Sequence, residues 1–394
     1  MTMADKLWVL ESNPRNNRDI SACLRSLRWR LVANRHANEN ENRRYRRRKT
    51  ACQAWGVRVT RNRMLYRPFG KTGWRVSLVG LGCWQFGGAI TLDGKPDGWT
   101  GVADDESAAT VKRAVELGVN FFDTADMYGW GHSEEVLGQA LKDCGCRDRV
   151  YVATKVGFWH DTAERRTVNE SRDYILRACE ASLRRLRTDY IDLYQCHLWR
   201  TTRWQEFLDA FALLQRQGKI RYFGVSTNDF DMVESFDTQR NLAAVQSNYN
   251  LLDRRAEQQI LPYCRARGIA FIARGTLARG LLSGKYNKAS RFDPNDIRSN
   301  WLTNAGREDY ERSIEIVEQL KPIAYKGGFS LSQLAVKFVL NHVGVSLALV
   351  GAKNRSQLEE NVTATFLAPL TREELREIET VLSSAPPQRV SSIA

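Results

Sequence analysis

The stretch Phe121-Phe122-Asp123-Thr124-Ala125-Asp126-Met127-Tyr128-Gly129 decides how this chain is read. The run Val119–Phe122 is apolar and aromatic and predicts a β-strand, with Asp123 at its exposed end and Tyr128 on the loop that follows. The same form recurs along the chain. Short β-branched or aromatic runs stand at Val76–Leu81, Val150–Ala153, Tyr190–Tyr194, Tyr222–Val225, Ala243–Gln246, Ile269–Ala273 and Leu347–Val350, making eight in all. Between most of them lie segments of helical period. Ile175, Cys179, Leu183 and Leu186 recur at three- and four-residue steps behind a candidate N-cap, Ser171, and Val111, Ala114 and Val115 precede a terminating Gly118.

Strands that alternate with helices pair in parallel, and eight such units favour a closed (β/α)8 TIM barrel within the α/β class. No GxGxxG follows the first run, which weighs against an open dinucleotide-binding sheet. Such barrels collect their chemistry at the C-terminal ends of the strands. In this chain Asp123 and Tyr128 follow the second run, Lys155 the third, His197 the fourth, and Gln246 ends the sixth. An Asp at a strand end often forms a turn, a lone Lys is usually solvated and a single His is commonly structural. Their conjunction at one rim is what points to an active site. A Gly-rich segment, Arg67–Trp74, is expected to form a hairpin over the barrel base, and the polar Ser283–Arg307 is long enough to cover a site.

The 394 residues are 43% hydrophobic and 26% charged, enough apolar surface for a large core on an ordinary soluble exterior. No apolar run reaches the ~18 residues needed to cross a bilayer, so no membrane insertion is expected. The net charge of +14 is concentrated in residues 1–63, which hold 16 Lys/Arg against 5 Asp/Glu, while residues 64–394 hold 43 against 40. A nucleic-acid binder should carry its basic footprint on the fold, so no nucleic acid is expected on the folded body. Residues 1–63, with the block Arg43-Arg44-Tyr45-Arg46-Arg47-Arg48-Lys49, read as a basic, disordered extension. A dispensable leader before a start at Met64, an organelle-targeting helix and an electrostatic tether remain three readings of it. Residues 64–394 are expected to form one barrel domain. The eight cysteines lack metal-ligand spacing, and Cys144-Gly145-Cys146 lacks a CxxC frame, so no metal site and no structural disulfide are expected in a reducing cytoplasm.

The segment Gly118 to Gly129, then Ser133-Glu134-Glu135-Val136-Leu137-Gly138, Ala153-Thr154-Lys155 and Asp189 to His197, resembles the aldo-keto reductase superfamily in order and spacing. Gln215-Gly218-Lys219-Ile220-Arg221, Gly224-Val225-Ser226 and Gly280-Leu281-Leu282-Ser283-Gly284 extend the likeness over about residues 64–382. It is nearest to the bacterial and potassium-channel β-subunit-like branches. The resemblance implies a reductase of aldehydes or ketones that works by hydride transfer from NADPH, with NADH the less favoured cofactor. It implies a catalytic set of Tyr128 as proton donor, Lys155 to lower the phenol's pKa, Asp123 to hold Lys155, and His197 to orient the carbonyl oxygen. It further implies a cofactor pocket of Gly82, Ser226, Asn228 in place of an Asn one position earlier, Gln246, Gly351, Lys353, Gln357, Glu360 and Asn361. Arg274 stands where many relatives place a stacking Tyr. A guanidinium there could stack on the nicotinamide, meet the pyrophosphate or reach an anionic substrate. Trp84, Trp130, Trp159 and Trp199 are candidates for an aromatic substrate pocket, with core or lid packing as the alternative. A small carbonyl substrate and a homo-oligomer are the expected partners, and a nucleotide-bound regulatory subunit is the rival function.

Overall fold

A computed structural model describes residues 64–160 and 165–384. The expected basic extension, residues 1–63, and the Ser/Pro-rich tail lie outside the described residues. Eight parallel strands close into a barrel: Val79–Gly82, Phe121–Asp123, Tyr151–Val156, Ile191–Cys196, Ile220–Ser226, Ala244–Asn248, Ala270–Arg274 and Leu347–Gly351. The first strand pairs with both the second and the eighth, so no barrel edge is left open. Register sets which residues share the upper rim. Gly351 lies opposite Gly82 and Gly82 opposite Asp123, while Gln195 lies opposite Lys155, Ser226 opposite Gln246 and Asn248 opposite Arg274.

Helices pack outside this ring because their apolar residues recur on one face. In Arg172–Leu186 the buried side includes Ile175, Cys179, Leu183 and Leu186, as the spacing predicts. Its N-terminus is fixed by Ser171, whose hydroxyl accepts from the Tyr174 N–H at 3.3 Å, a cap worth about 1 kcal/mol.

The predicted first strand, Val76–Leu81, divides in two. Arg75–Ser77 pairs antiparallel with Tyr66–Pro68, and the barrel strand begins only at Val79. Asn120 makes the break, because its side chain accepts from the Ser77 N–H at 2.8 Å while its own N–H donates to Ser77 Oγ at 3.1 Å. An apolar run carries no mark that separates a hairpin strand from the barrel strand after it. The hairpin does plug the base. Phe69 and Val76 are fully buried against Phe121, Ala153, Leu193, Ala270 and Leu347 inside the barrel, and Trp74 stacks on Tyr151 at 4.4 Å. Gly70 permits the approach: at φ +52° it lies so close to the backbone of strand seven that an added Cβ would sit 2.6 Å from the Ala270 nitrogen.

Two further expectations change. Asp123 is the last residue of its strand and buried, because the loop after it folds back over the rim. Cys144 and Cys146 are joined as a disulfide, where free thiols were expected, because the turn after helix His132–Asp143 brings the two side chains together. Among the described residues no helix is long and apolar enough to cross a membrane.

Candidate active site

At the centre of the upper rim, Lys155 Nζ donates to Asp123 Oδ1 at 2.5 Å, to the Thr124 carbonyl at 2.7 Å and to Tyr128 Oη at 3.3 Å. Lys155 is fully buried, which an ammonium tolerates only with such partners. The other carboxylate oxygen of Asp123 accepts from Gln246 Nε2 at 2.7 Å and from Gln195 Nε2 at 3.3 Å. His197 follows strand four and meets the Tyr128 ring edge-on at 5.9 Å, while Trp84 stacks on that ring at 5.8 Å. Of the four residues proposed from sequence as catalytic, Asp123, Tyr128 and His197 thus line one cavity, and Lys155 lies buried beneath them.

Tyr128 is placed by glycines. Gly129, Trp130 and Gly131 all have positive φ, at 60°, 55° and 98°, and the carbonyl of Gly87 fills the space a Cβ on Gly129 would need. The reversal sends Trp130 away from the rim.

The electrostatics differ in one respect from expectation. Burial pushes the Tyr128 phenol above its ordinary pKa, and the Lys155 ammonium, which pulls it down, does not overcome that rise. The extent of this desolvation is a tertiary property. Burial works to lower the Lys155 pKa, but Asp123 and Tyr128 lift it above the ordinary lysine value. His197 is held well below the usual histidine range by burial and then by the positive charges of Lys155, Arg274 and Arg166, so its ring is neutral at pH 7.

The cavity measures about 1390 Å³ and runs from this cluster to the loop after strand eight. Gly82, Trp84, Trp199, Asn228, Gln246, Arg274, Gly351, Lys353, Gln357, Glu360 and Asn361 all line it. Ser226 does not: it is buried behind Gln246, with its hydroxyl 3.5 Å from Gln246 Oε1. Gln246 Nε2 spends its hydrogens on Asp123 and Gln195, so the amide is engaged inside the protein before any ligand contact. The side-chain oxygen of Asn228 is likewise taken, by Ser247 Oγ, the Asn248 N–H and Arg274.

Trp130 and Trp159 are corrections. Both line a separate hollow of about 550 Å³ with Tyr174, Arg177 and Arg184. Trp130 is turned there by its left-handed backbone. Trp159 sits in the hairpin strand Phe158–His160, where side chains alternate between faces, and meets Tyr174 edge-on at 5.4 Å.

The far end of the cavity is built from distant parts of the chain. Helix Arg355–Thr363 starts at Asn354, whose side chain accepts from the Gln357 N–H at 3.0 Å, while Gln357 Oε1 accepts from the Lys353 N–H at 3.0 Å. Lys353 Nζ donates to the Thr100 carbonyl at 2.6 Å and lies 3.4 Å from Asp296, which Arg298 grips at 2.6 Å. Burial lowers the Lys353 pKa, with Arg298 adding to the effect. The Ser283–Arg307 segment therefore does form a cavity wall, through Lys285, Tyr286, Ile297, Arg298 and Asn300. A cavity larger than the ~300–1,000 Å³ of ordinary small-molecule sites has room for a dinucleotide and a small substrate together.

Sequence reasoning missed Gln195, Phe158, Arg166, Arg279 and Asp296. For Gln195 a signal existed, since an amide inside the fully buried run of strand four has to find a partner. The other four sit on a short hairpin, Phe158–His160 with Arg166–Val168, and on turns beyond the barrel strands, none with a pattern of its own.

The sequence profile of the Aldo/keto reductase family matches residues 78–383. The chain belongs to that family. Among aldo/keto reductases, it is 35% identical to the aldo-keto reductase YhdN of Bacillus subtilis, over 82% of this chain and 94% of that one. It is 34% identical to a rice (Oryza sativa subsp. japonica) protein described as a probable voltage-gated potassium channel subunit beta, covering 82% of this chain and 98% of that one. A Klebsiella pneumoniae aldo/keto reductase solved with NADP and acetate superposes with a TM-score of 0.62 at 27% identity, covering 85% of this chain and 99% of that one. Membership supports an oxidoreductase that uses a nicotinamide cofactor and acts on small carbonyl compounds.

Proposed function

We propose that this protein reduces aldehydes or ketones to alcohols with NADPH, Tyr128 serving as the general acid. The observation that carries the reading is Lys155 Nζ, shared between Asp123 and Tyr128 just beneath the cavity. The bound cofactor would supply a hydride to the carbonyl carbon. As negative charge builds on the carbonyl oxygen, the Tyr128 hydroxyl transfers its proton there. The phenolate left behind is stabilised by the Lys155 ammonium, which Asp123 keeps charged and in place, and is reprotonated from water. Neutral His197 can offer one ring N–H to the same oxygen and fix its direction, which an imidazolium would do at greater desolvation cost. Gln195 and Gln246 hold Asp123.

Lys353, Gln357, Asn361 and the start of helix Arg355–Thr363 suit the adenosine phosphate end of the cofactor, where N–H groups and the helix dipole favour anions. Lys353 favours the 2′-phosphate of NADPH over NADH. Loss of NADPH absorbance with a panel of aldehydes, ketones and sugar aldehydes tests the activity, run beside Tyr128→Phe. Turnover that survives in the variant, or a clear preference for NADH, contradicts the corresponding part of the proposal.

The likeness to the rice channel subunit favours a second reading, a nucleotide-bound regulatory subunit. Tight NADPH binding without turnover on the panel would select it.

A further inference from the structure

The cavity above Tyr128 carries more positive charge than the reaction described so far uses. Strand seven ends on Arg274, and beyond it Ala278, Arg279 and Gly280 sit at φ values of 45°, 51° and 94°. Residues other than glycine enter that region only at a conformational cost, and such costs concentrate where a side chain has a task. The turn lays the Arg279 guanidinium over the Trp84 ring, 5.6 Å from its centroid, and Trp84 is itself stacked on Tyr128.

Arg274 shares the same wall. Its Nη2 donates to Asn228 at 3.2 Å, while its Nε is enclosed and has no hydrogen-bond partner among the described residues. No carboxylate of the described residues makes an ion pair with Arg274, although its charge is felt at both Tyr128 and His197. A third guanidinium at this end, Arg166, is already met by Asp97 at 2.7 Å. Burial holds Arg274 below the ordinary arginine value and brings Arg279 to about 10, so both stay charged at pH 7. Arg279 feels the charge of Asp97, whereas the guanidinium of Arg274, with no carboxylate against it among the described residues, destabilises the fold unless an anion compensates it.

We propose that Arg274 and Arg279 bind an anionic group on the substrate, so that the carbonyl compound reduced here carries a carboxylate or a phosphate near the reacting carbon. This rests on the reductase reading above. The planar fork of a guanidinium matches either anion with paired N–H donors, and Trp84, Phe158 and Trp199 would pack along the carbon chain between. The neutral amide of Asn228 directs Arg274 without satisfying its charge.

The test measures kcat/KM with NADPH for succinic semialdehyde against butanal, and for glyceraldehyde 3-phosphate against glyceraldehyde. Wild type, Arg274→Gln and Arg279→Gln are compared, with NADPH dissociation constants from fluorescence titration. The anionic member of at least one pair should be preferred by about 10- to 100-fold, the span of a charge-assisted hydrogen bond, and each substitution should remove most of that preference. The pair that responds identifies carboxylate or phosphate. Turnover with no preference, or with a neutral compound preferred, overturns the anionic substrate and leaves the reductase standing. Weakened NADPH binding with an unchanged preference overturns it too, by assigning the arginines to the cofactor. If nothing is turned over, the reductase reading falls, and calorimetric titration of butanoate and inorganic phosphate against butanamide decides the anion site. Anion binding lost in Arg279→Gln sustains it, and no binding ends it.

Discussion

Gln246 Nε2 donates to Asp123 Oδ2 at 2.7 Å, joining strand six to strand two across the mouth of the barrel. The bond fixes the carboxylate that in turn holds Lys155, so an amide that lines the cavity also braces the charge pair beneath it. In Gln246→Leu, a substitution of similar size, Asp123 loses its shorter amide donor. We expect kcat for carbonyl reduction to fall about tenfold, the equivalent of one hydrogen bond near 1.4 kcal/mol. A drop confined to KM would instead mean that Gln246 acts on bound ligand alone.

Tyr128→Phe removes a hydroxyl and little else. The reduction rate should fall by about 10²–10⁴-fold, the typical worth of a positioned general acid, with the circular dichroism spectrum unchanged. Retained activity would move the proton donor to another group.

The raised Tyr128 pKa sets the pH profile. A group whose value in the folded protein lies above the ordinary phenol keeps its proton throughout the neutral range, so reduction should be flat there and decline only at alkaline pH. His197 is depressed below the ordinary imidazole value and stays neutral on mild acidification, so no loss of kcat near pH 6.5 should come from it. Lys155→Met should move the alkaline limb upward while lowering kcat, since the ammonium is what pulls the phenol down. Stopped-flow rates of the hydride step across pH would expose a neutral-range inflection if either assignment were wrong.

Asp296 clasps the far end of the cavity. Burial alone would raise its pKa, but Arg298 and Lys353 draw it down to about 2. A carboxylate depressed in the folded state contributes stability above its unfolded value of about 3.9, and the contribution is lost as pH falls through the folded one. Asp296→Asn should therefore lower the urea midpoint at pH 7, and the gap to wild type should shrink between about pH 4 and pH 2. An equal gap at both ends of that range would show that the carboxylate's charge is not what matters.

At the base, Phe69→Ala opens a hole inside a closed ring that has few ways to collapse. The cost should be about 3–5 kcal/mol by urea unfolding. A loss under 1 kcal/mol would mean that the hairpin is a loose cover.

The barrel and the central cluster were legible because both depend on local patterns. Each of Asp123, Lys155 and His197 follows a strand-like run by one to three residues, and a barrel brings all such positions to one rim. What could not be read was set by chain direction and burial. Trp130 leaves the rim because three consecutive residues are left-handed, and Trp159 because a hairpin alternates its faces. Val76 belongs to a hairpin that a side chain 44 residues away, Asn120, divides from the barrel. The upward shift at Tyr128 follows from how much protein surrounds the phenol, and the tie between Lys353 and Asp296 spans 57 positions that no local window covers.

The pairing of Val79–Gly82 with Leu347–Gly351 makes the first barrel strand a neighbour of the last. On the ribosome, strand one must wait for more than 260 further residues before its second partner is made. Through that interval one flank of the nascent sheet offers unpaired N–H and C=O groups, the kind of edge that other chains can add to. Synthesis is therefore the period when this protein is most exposed to misassembly, and the emergence of the eighth strand is what removes the hazard.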